Sequence, residues 1–360
     1  MATAPLNLEA DVVELTRDIC DIESVSGNEK QLADAIEAAL KQYSHLEVIR
    51  DGDAIVARTN LGRANRVVIA GHIDTVPVAN NLPVQMLSME REQVLYGRGT
   101  VDMKAGVAVQ LKLAATLAEP TSDVTWIFYD HEEVEATKNG LGRLARNRPE
   151  LLEASFAVLC EPTSAQVEGG CNGTMRVDLT FSGVKAHSAR PWMGKNAIHG
   201  AAKALAILAD YQPAEIDVDG LVYRESLNAV IIGGGIATNV IPDECVITVN
   251  YRFAPSKSAA DAEKHLREVF AGMDLTVVDT AEGARPGLDR AEAKAFVAAT
   301  QTQARPKYGW TDVARFSALG IPAVNFGPGD PSKAHADDEA VPVNQIYACE
   351  KALRAWLSVG

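Results

Sequence analysis

The sequence predicts an α/β chain in two parts: a catalytic domain built on an open sheet flanked by helices, interrupted by a smaller α+β domain of ferredoxin-like order. Three observations predict it. Apolar runs at 66–70, 124–129 and 156–160 each end directly in ionisable residues, the pattern of buried strands with a site at their carboxyl ends. Between residues 175 and 284 the order of elements is strand, helix, strand, strand, helix, strand, which is the split βαβ pattern. The length, 360 residues, exceeds what one core usually holds.

The elements follow in order. Residues 8–23 form an amphipathic helix with Val12, Leu15 and Ile19 on one face. Ser26-Gly27-Asn28-Glu29 has the pattern of a capping box and opens a second helix that runs to about Tyr43. Strands are expected at 46–50, 54–59 and 66–70, and the aperiodic stretch 79–92 is expected to loop over the site. A third helix, 103–117, begins immediately after Asp102, so its dipole favours the ionised carboxylate there. Gly169, Gly170 and Gly173 mark a turn or a crossing between domains. Beyond them, 175–181 alternates as a half-buried strand. A helix (196–209), strands at 228–236 and 245–253, a helix (259–270) and a strand (275–279) complete the insert. The chain returns near Arg285-Pro286 with a helix at 290–301, a strand ending at Phe326 and a terminal helix at Val343–Ser358. The expected domains are therefore 1–174 and 285–360 for the catalytic part and 175–284 for the insert.

Composition limits the partners. An apolar fraction of 47% and a charged fraction of 23% belong to a soluble globular chain. A net charge of −14 opposes nucleic acid and anionic membranes, so an anionic substrate must meet a local basic patch. The first ten residues lack the basic and apolar regions of a signal peptide, and no apolar run is long enough to span a bilayer. Five cysteines without Cys-x-x-Cys spacing are expected as buried free thiols in a reducing cytoplasm.

The chemistry gathers at the predicted strand ends. His72 and Asp74 follow the first apolar run, Glu132 and Glu133 the second and Glu161 the third. Asp102 precedes the third helix, and His335 follows the strand ending at Phe326. Carboxylates converging in this way repel one another unless a cation sits between them. Taken singly, a Glu-Glu pair is usually a solvated helix start and a lone histidine usually structural; it is their combination that reverses those readings. Two histidines (His72, His335) and three carboxylates (Asp102, Glu133, Glu161) suit Zn²⁺ or a similar divalent ion. Five ligands are too many for one tetrahedral ion with an open position. With one bridging carboxylate they serve two ions, three protein ligands each. Asp74 is placed to orient the second ring nitrogen of His72. Gly97-Arg98-Gly99 lacks the ending of a phosphate loop. His45, His131, His199 and His265 are read as surface or packing residues.

In their order and spacing, His72-x-Asp74, Asp102, Glu132-Glu133, Glu161 and His335 resemble the co-catalytic metallo-aminoacylase and carboxypeptidase family. Ala186-His187-Ser188-Ala189-Arg190-Pro191-Trp192, Asn239-Val240-Ile241-Pro242, the segment 308–316 and the segment 325–331 are most similar to its actinobacterial desuccinylase branch. The resemblance implies a metallopeptidase-like domain with a mixed central sheet and an inserted lid and dimerisation domain. It implies two Zn²⁺ per subunit, with Co²⁺ able to substitute. Asp102 would bridge them, His72 and Glu161 completing one site and Glu133 and His335 the other. Glu132 would be general base and His187 the donor to the tetrahedral oxyanion. Relatives with this domain order dimerise through the insert and lend this histidine to the partner, so a homodimer is expected. The implied reaction is hydrolysis of N-succinyl-LL-2,6-diaminopimelate to succinate and LL-2,6-diaminopimelate. An N-acyl amino acid of that negative charge needs cations, for which Arg190, Arg252 and Arg315, with Asn239 as an amide donor, are the candidates. Another N-acyl-amino-acid deacylase, a carboxypeptidase or dipeptidase, and a non-catalytic metal-dependent amino-acid binder remain open. The last is disfavoured because Glu132 accompanies a complete ligand set.

Overall fold

The structure is a computed structural model that describes residues 5–89 and 92–358. Part of the signal-peptide reading, residues 1–4, and two positions of the expected loop 79–92, residues 90 and 91, lie outside the described residues. The chain forms two compact units, one of Met1–Gly169, Pro286–Arg305 and Arg315–Gly360, the other of Gly170–Arg285 and Pro306–Ala314. The segment Pro306–Ala314 thus groups with the insert, whereas the sequence reading assigned it to the returning catalytic stretch.

The first unit begins with α1 (Val12–Cys20), where Asp11 accepts a hydrogen bond from the Val13 N–H and Val12, Leu15 and Ile19 face the core. In α2 (Lys30–Leu40) the N-cap is Glu29, and Ser26 is not the cap that the pattern predicted. The Ser26 hydroxyl is instead engaged by Asp74, a partner distant in sequence. Next come β1 (Glu47–Asp51), β2 (Ala54–Arg58) and β3 (Arg66–His72). The expected loop contains a hairpin, β4 (Gln85–Met89) with β5 (Glu92–Tyr96). β4 buries neither face, so its sequence carries no apolar alternation to read. After it come α3 (Lys104–Thr116), β6 (Asp123–Tyr129), α4 (Gly140–Asn147), β7 (Phe156–Leu159) and β8 (Glu168–Gly169).

The second unit contains β9 (Gly173–Ser182), β10 (Ala186–His187), α5 (Ala197–Gly200), α6 (Ala202–Asp210), β11 (Glu215–Val218) and β12 (Leu221–Arg224). It continues with β13 (Ser226–Gly234), β14 (Val240–Ile241), β15 (Glu244–Phe253), α7 (Ala259–Val269) and β16 (Asp274–Ala281). Its four-stranded antiparallel sheet has the order β13-β15-β9-β16, the arrangement of a ferredoxin-like fold. Met175, Val177 and Leu179 of β9 and Ile247 and Val249 of β15 form its core with Leu266 and Phe270. The single helix expected at 196–209 is two, interrupted at Ala201. The hairpin β11–β12 was not expected.

The chain ends with α8 (Ala291–Thr300), β17 (Arg305–Pro306), α9 (Val313–Ala318), β18 (Ala323–Asn325), β19 (Ala340–Pro342) and α10 (Val343–Ser358). The main sheet of eight strands runs β1-β2-β6-β3-β7-β18-β8-β17. Its centre, β6-β3-β7-β18, is parallel, while β2 against β6 and β8 against β18 are antiparallel, so the sheet is mixed. The four central strands are buried almost throughout, as parallel strands covered by helices must be. Tight approach on one face depends on glycine: a Cβ at Gly106 of α3 would overlap the carbonyl of Cys160, just past β7.

Candidate metal centre

Four adjacent parallel strands deliver the candidate ligands to one edge of the sheet. His72 is the last residue of β3 and pairs with Tyr129, the last of β6, so the Asp130–Glu133 segment emerges beside it. Glu161 leaves β7 on the other side of β3, and the segment leading to His335 leaves β18 beyond that. Asp102 arrives from the loop before α3. The carboxyl ends of neighbouring parallel strands are where open α/β sheets bind ligands.

The geometry at that edge is close. The His72 Nδ1 hydrogen bonds the Asp74 carbonyl at 3.0 Å, which turns Nε2 toward Asp102 Oδ1 at 3.1 Å. His335 Nε2 lies 2.9 Å from Glu133 Oε2 and 3.4 Å from Asp102 Oδ2. Among the described residues, His72, Asp102 and Glu161 form one triad, and Asp102, Glu133 and His335 another; in each the ligand atoms lie within 4.8 Å of one another. Asp102 is common to both. Glu132 and Glu133 form a third such group with His72.

Electrostatics test whether cations fit. At such separations Asp102 repels Glu161 and Glu133 by on the order of 3 kcal/mol each. The fold tolerates this only with compensating positive charge. In the protein without metal, protons on the imidazoles supply part of it. Burial opposes charge on His72, but Asp102 and Asp74 outweigh burial and raise its pKa well above 6.5. Hydrogen bonds to Asp102 and Glu133 raise the pKa of His335 to about 10, against a smaller effect of burial. Divalent ions would displace these protons and satisfy the same carboxylates, so the donor set fits a pair of them.

Asp74 is the organiser beneath the candidate ligands. It is fully buried, which favours its neutral form, yet His72, the Ser26 hydroxyl and the Glu132 N–H hold its pKa down at about 2. Its carboxylate accepts from Ser26 Oγ at 2.7 Å and from the backbone N–H groups of Glu132 and Glu133 at 3.0 and 3.1 Å. One residue therefore aligns His72, through its backbone carbonyl, and fixes the backbone of the two glutamates through its carboxylate. A second support escaped the sequence reading. Asp130 takes both guanidinium nitrogens of Arg143, at 2.7 and 3.1 Å, and bonds His131, which is half-buried there beside Glu29. Glu339 was also missed: its Oε1 accepts from the N–H groups of Val101 and Asp102. Nothing local distinguishes it from the neighbouring Asp337 and Asp338.

In the second unit, three further candidates gather in one loop cluster. His187 on β10 pairs with Val240 on β14, the Ser188 N–H donates to the Asn239 carbonyl at 2.9 Å, and the Arg190 N–H donates to the His187 carbonyl at 2.8 Å. All three side chains are exposed. Arg252 is half-buried on β15 and has no carboxylate partner among the described residues; burial lowers its pKa. Arg315, in α9, belongs to the first unit and lies against its α4, where a Cβ at Gly142 would approach the guanidinium to 2.8 Å.

Among the described residues, no helix is long and apolar enough to cross a membrane. Residues 68–358 match the profile of peptidase family M20/M25/M40. The chain is 53% identical, over 98% of its length and 99% of the relative's, to a putative succinyl-diaminopimelate desuccinylase of Mycobacterium tuberculosis. It is 46% identical, over 98% of both chains, to a succinyl-diaminopimelate desuccinylase of Corynebacterium glutamicum. In three dimensions it is similar to a tripeptidase from Staphylococcus aureus, with a TM-score of 0.79 over 98% of each chain at 20% identity. With a match that spans most of the chain and relatives of this identity along its whole length, the protein belongs to peptidase family M20/M25/M40.

Proposed function

We propose that the chain is a metal-dependent amide hydrolase that converts N-succinyl-LL-2,6-diaminopimelate and water to succinate and LL-2,6-diaminopimelate, a step of diaminopimelate and lysine biosynthesis in the cytoplasm. The observation that carries this reading is the pair of ligand triads sharing Asp102, in a chain 53% identical to a putative desuccinylase of that substrate. We assign two Zn²⁺ per subunit, with Co²⁺ as a substitute, because imidazole and carboxylate together favour zinc over magnesium. When bound, these ions would polarise the amide carbonyl and lower the pKa of a water molecule.

The chain's own residues do the rest. Glu132, left over once Glu133 is a ligand, takes a proton from the attacking water and hands it to the departing amine. Asp74 holds the Glu132 backbone and the His72 ring while this happens. His187 donates to the oxyanion, and we assign it to the site of a second copy in a homodimer. That assignment is supported by β13, an edge strand whose Val230, Ile231 and Ile232 are all more than half exposed. Arg190, Arg252 and Arg315, with Asn239, bind the substrate carboxylates. Half-burial of Arg252 without a carboxylate partner among the described residues supports its part in this.

The test is a substrate panel. Metal-stripped protein reloaded with Zn²⁺ is assayed on succinyl-diaminopimelate, acetylornithine and a dipeptide, and turnover of the first should dominate. Preference for either of the others overturns the substrate assignment. Full activity of a demonstrably metal-free sample overturns the chemistry.

A further inference from the structure

Resting on the two-cation reading above, we propose that the buried ion pair Arg98–Glu339 is a positioning brace. It sets Asp102 and His335 at their working separation and so raises the affinity of the Glu133–His335 site for its cation.

The pair is nearly dry. The Arg98 and Glu339 side chains are 3% and 1% exposed, with Nη1 and Oε2 2.8 Å apart. Burying two charges costs several kcal/mol per ion in lost hydration, and apolar replacements often serve stability as well. Stability therefore does not explain the pair. Its partners suggest what does. Arg98 Nε donates to the Pro77 carbonyl at 3.0 Å, in the segment that follows His72 and Asp74. Its Nη1 donates to the Ala336 carbonyl at 3.2 Å, one residue beyond His335. Glu339 Oε1 accepts from the Val101 N–H at 2.8 Å and the Asp102 N–H at 3.1 Å. These bonds connect three separate ligand-bearing segments through backbone groups close to the ligands.

Strand register makes the connection rigid. β19 pairs with β5 so that Ala340 faces Tyr96, and the Gly97 N–H donates to the Glu339 carbonyl at 3.0 Å. The loop from His335 to Glu339 and the loop from Gly97 to Asp102 thus leave one two-strand ladder side by side. Tyr96 Oη and Asn81 Nδ2 both donate to the Asp337 carbonyl, at 3.2 and 3.3 Å, and hold the same loop. The brace pairs one positive with one negative charge and adds no net charge to the centre. Its effect is on position. The Glu133–His335 site takes two of its three groups, Asp102 and His335, from the loops the brace joins, whereas the His72–Glu161 site takes only Asp102 from them and meets the brace otherwise through Pro77, five residues past His72.

Glu339→Gln tests this. Its single carbonyl oxygen can serve the two backbone N–H groups or Arg98, and its amide then opposes the other. Metal-stripped protein is titrated with Zn²⁺ against a competing chelator, and with Co²⁺ while the visible spectrum is followed. Wild type should take two equivalents; in the variant the second should bind about 10–100-fold more weakly, the typical cost of losing an outer partner of a ligand, with the first changed less. The Co²⁺ band that belongs to the second equivalent should alter with it. Should Glu339→Gln not fold, the double variant Arg98→Met with Glu339→Gln leaves no buried charge unpaired, and the same measurements apply to it. Two equivalents at wild-type affinity in either variant overturn the brace alone. Equal weakening of both equivalents, with a lower melting temperature of the metal-free protein, makes the pair structural and also overturns it. Wild type that takes up no cation overturns both the brace and the function it rests on.

Discussion

In the first unit the candidate groups on and beside β3 and β7 are set before anything binds. His72 is 1% exposed, Asp74 0% and Glu161 6%, and each of the first two has its hydrogen bonds made. In the second unit His187, Arg190 and Asn239 are exposed, and their backbones bond within their own loop cluster. The difference is one of when conformational entropy is lost. Side chains ordered by folding impose no further cost when a cation arrives, whereas exposed side chains are ordered only when substrate or partner arrives. Substitutions in the first unit should therefore alter metal binding, and those in the second should alter turnover with the metal retained. Glu132 and Arg315 are the exceptions, since both belong to the first unit and neither is assigned as a ligand.

The largest expected effect breaks that division on purpose. Glu132→Ala should lose about 10²–10⁴-fold in turnover, the usual contribution of a general base, with the metal content of wild type. Metal analysis beside steady-state kinetics checks it, and near-normal turnover removes Glu132 from the mechanism. Next in size, His187→Ala should lose about 10²–10³-fold with its metals intact. Co-expression with Glu132→Ala subunits sharpens this: if His187 acts across the dimer, each mixed dimer has one complete site and activity returns. Purified mixed dimers as inactive as either parent would refute the exchange.

Asp74→Asn should weaken metal binding about 10–100-fold, because the orienting charge under His72 and the two glutamate N–H groups is lost. Competition titration measures it, and unchanged affinity would show that His72 is held well enough without it. The smallest effect concerns pH and the second unit. Partial burial and the Lys257 charge lower the pKa of His265 below its unfolded value of 6.5, against the opposing charges of Glu225 and Glu268. Folding then favours the neutral ring, so stability is present above pH 6.5 and is lost as pH falls through the lowered pKa. A shallow fall in melting temperature between pH 7 and pH 5 should be reduced in His265→Gln. An identical fall in both proteins would assign it elsewhere.

Most of the main elements were legible because their apolar periodicity is strong. α10 has the bounds read from sequence, and β9 alternates as expected with one residue or two more at its ends. The hairpin β4–β5 was not legible, since its exposed first strand shows no period, and the stretch expected as one helix buries Ala197, Ala201 and Ala204 around its break while Ile198 and Leu205 stay exposed. At the site, residues next to strand ends could be named from their chemical type and position. Ser26 could not, because its local pattern offered a cap and its real partner, Asp74, is far along the chain.

The sequence by itself determined the inventory: which strands are buried, which ionisable groups stand at their ends, and that such a set of carboxylates requires a cation. Those features are local, set by side-chain type and by periods of two and 3.6 residues. Only the tertiary structure decided that β3 lies between β6 and β7, which makes His72 central, and that Asp102 stands in reach of both triads. It alone joined Arg98 to Glu339, and Asp74 to Ser26. Strand order and the partners of a buried charge depend on long-range pairing, and a buried polar group is satisfied by whichever partner the packing brings to it.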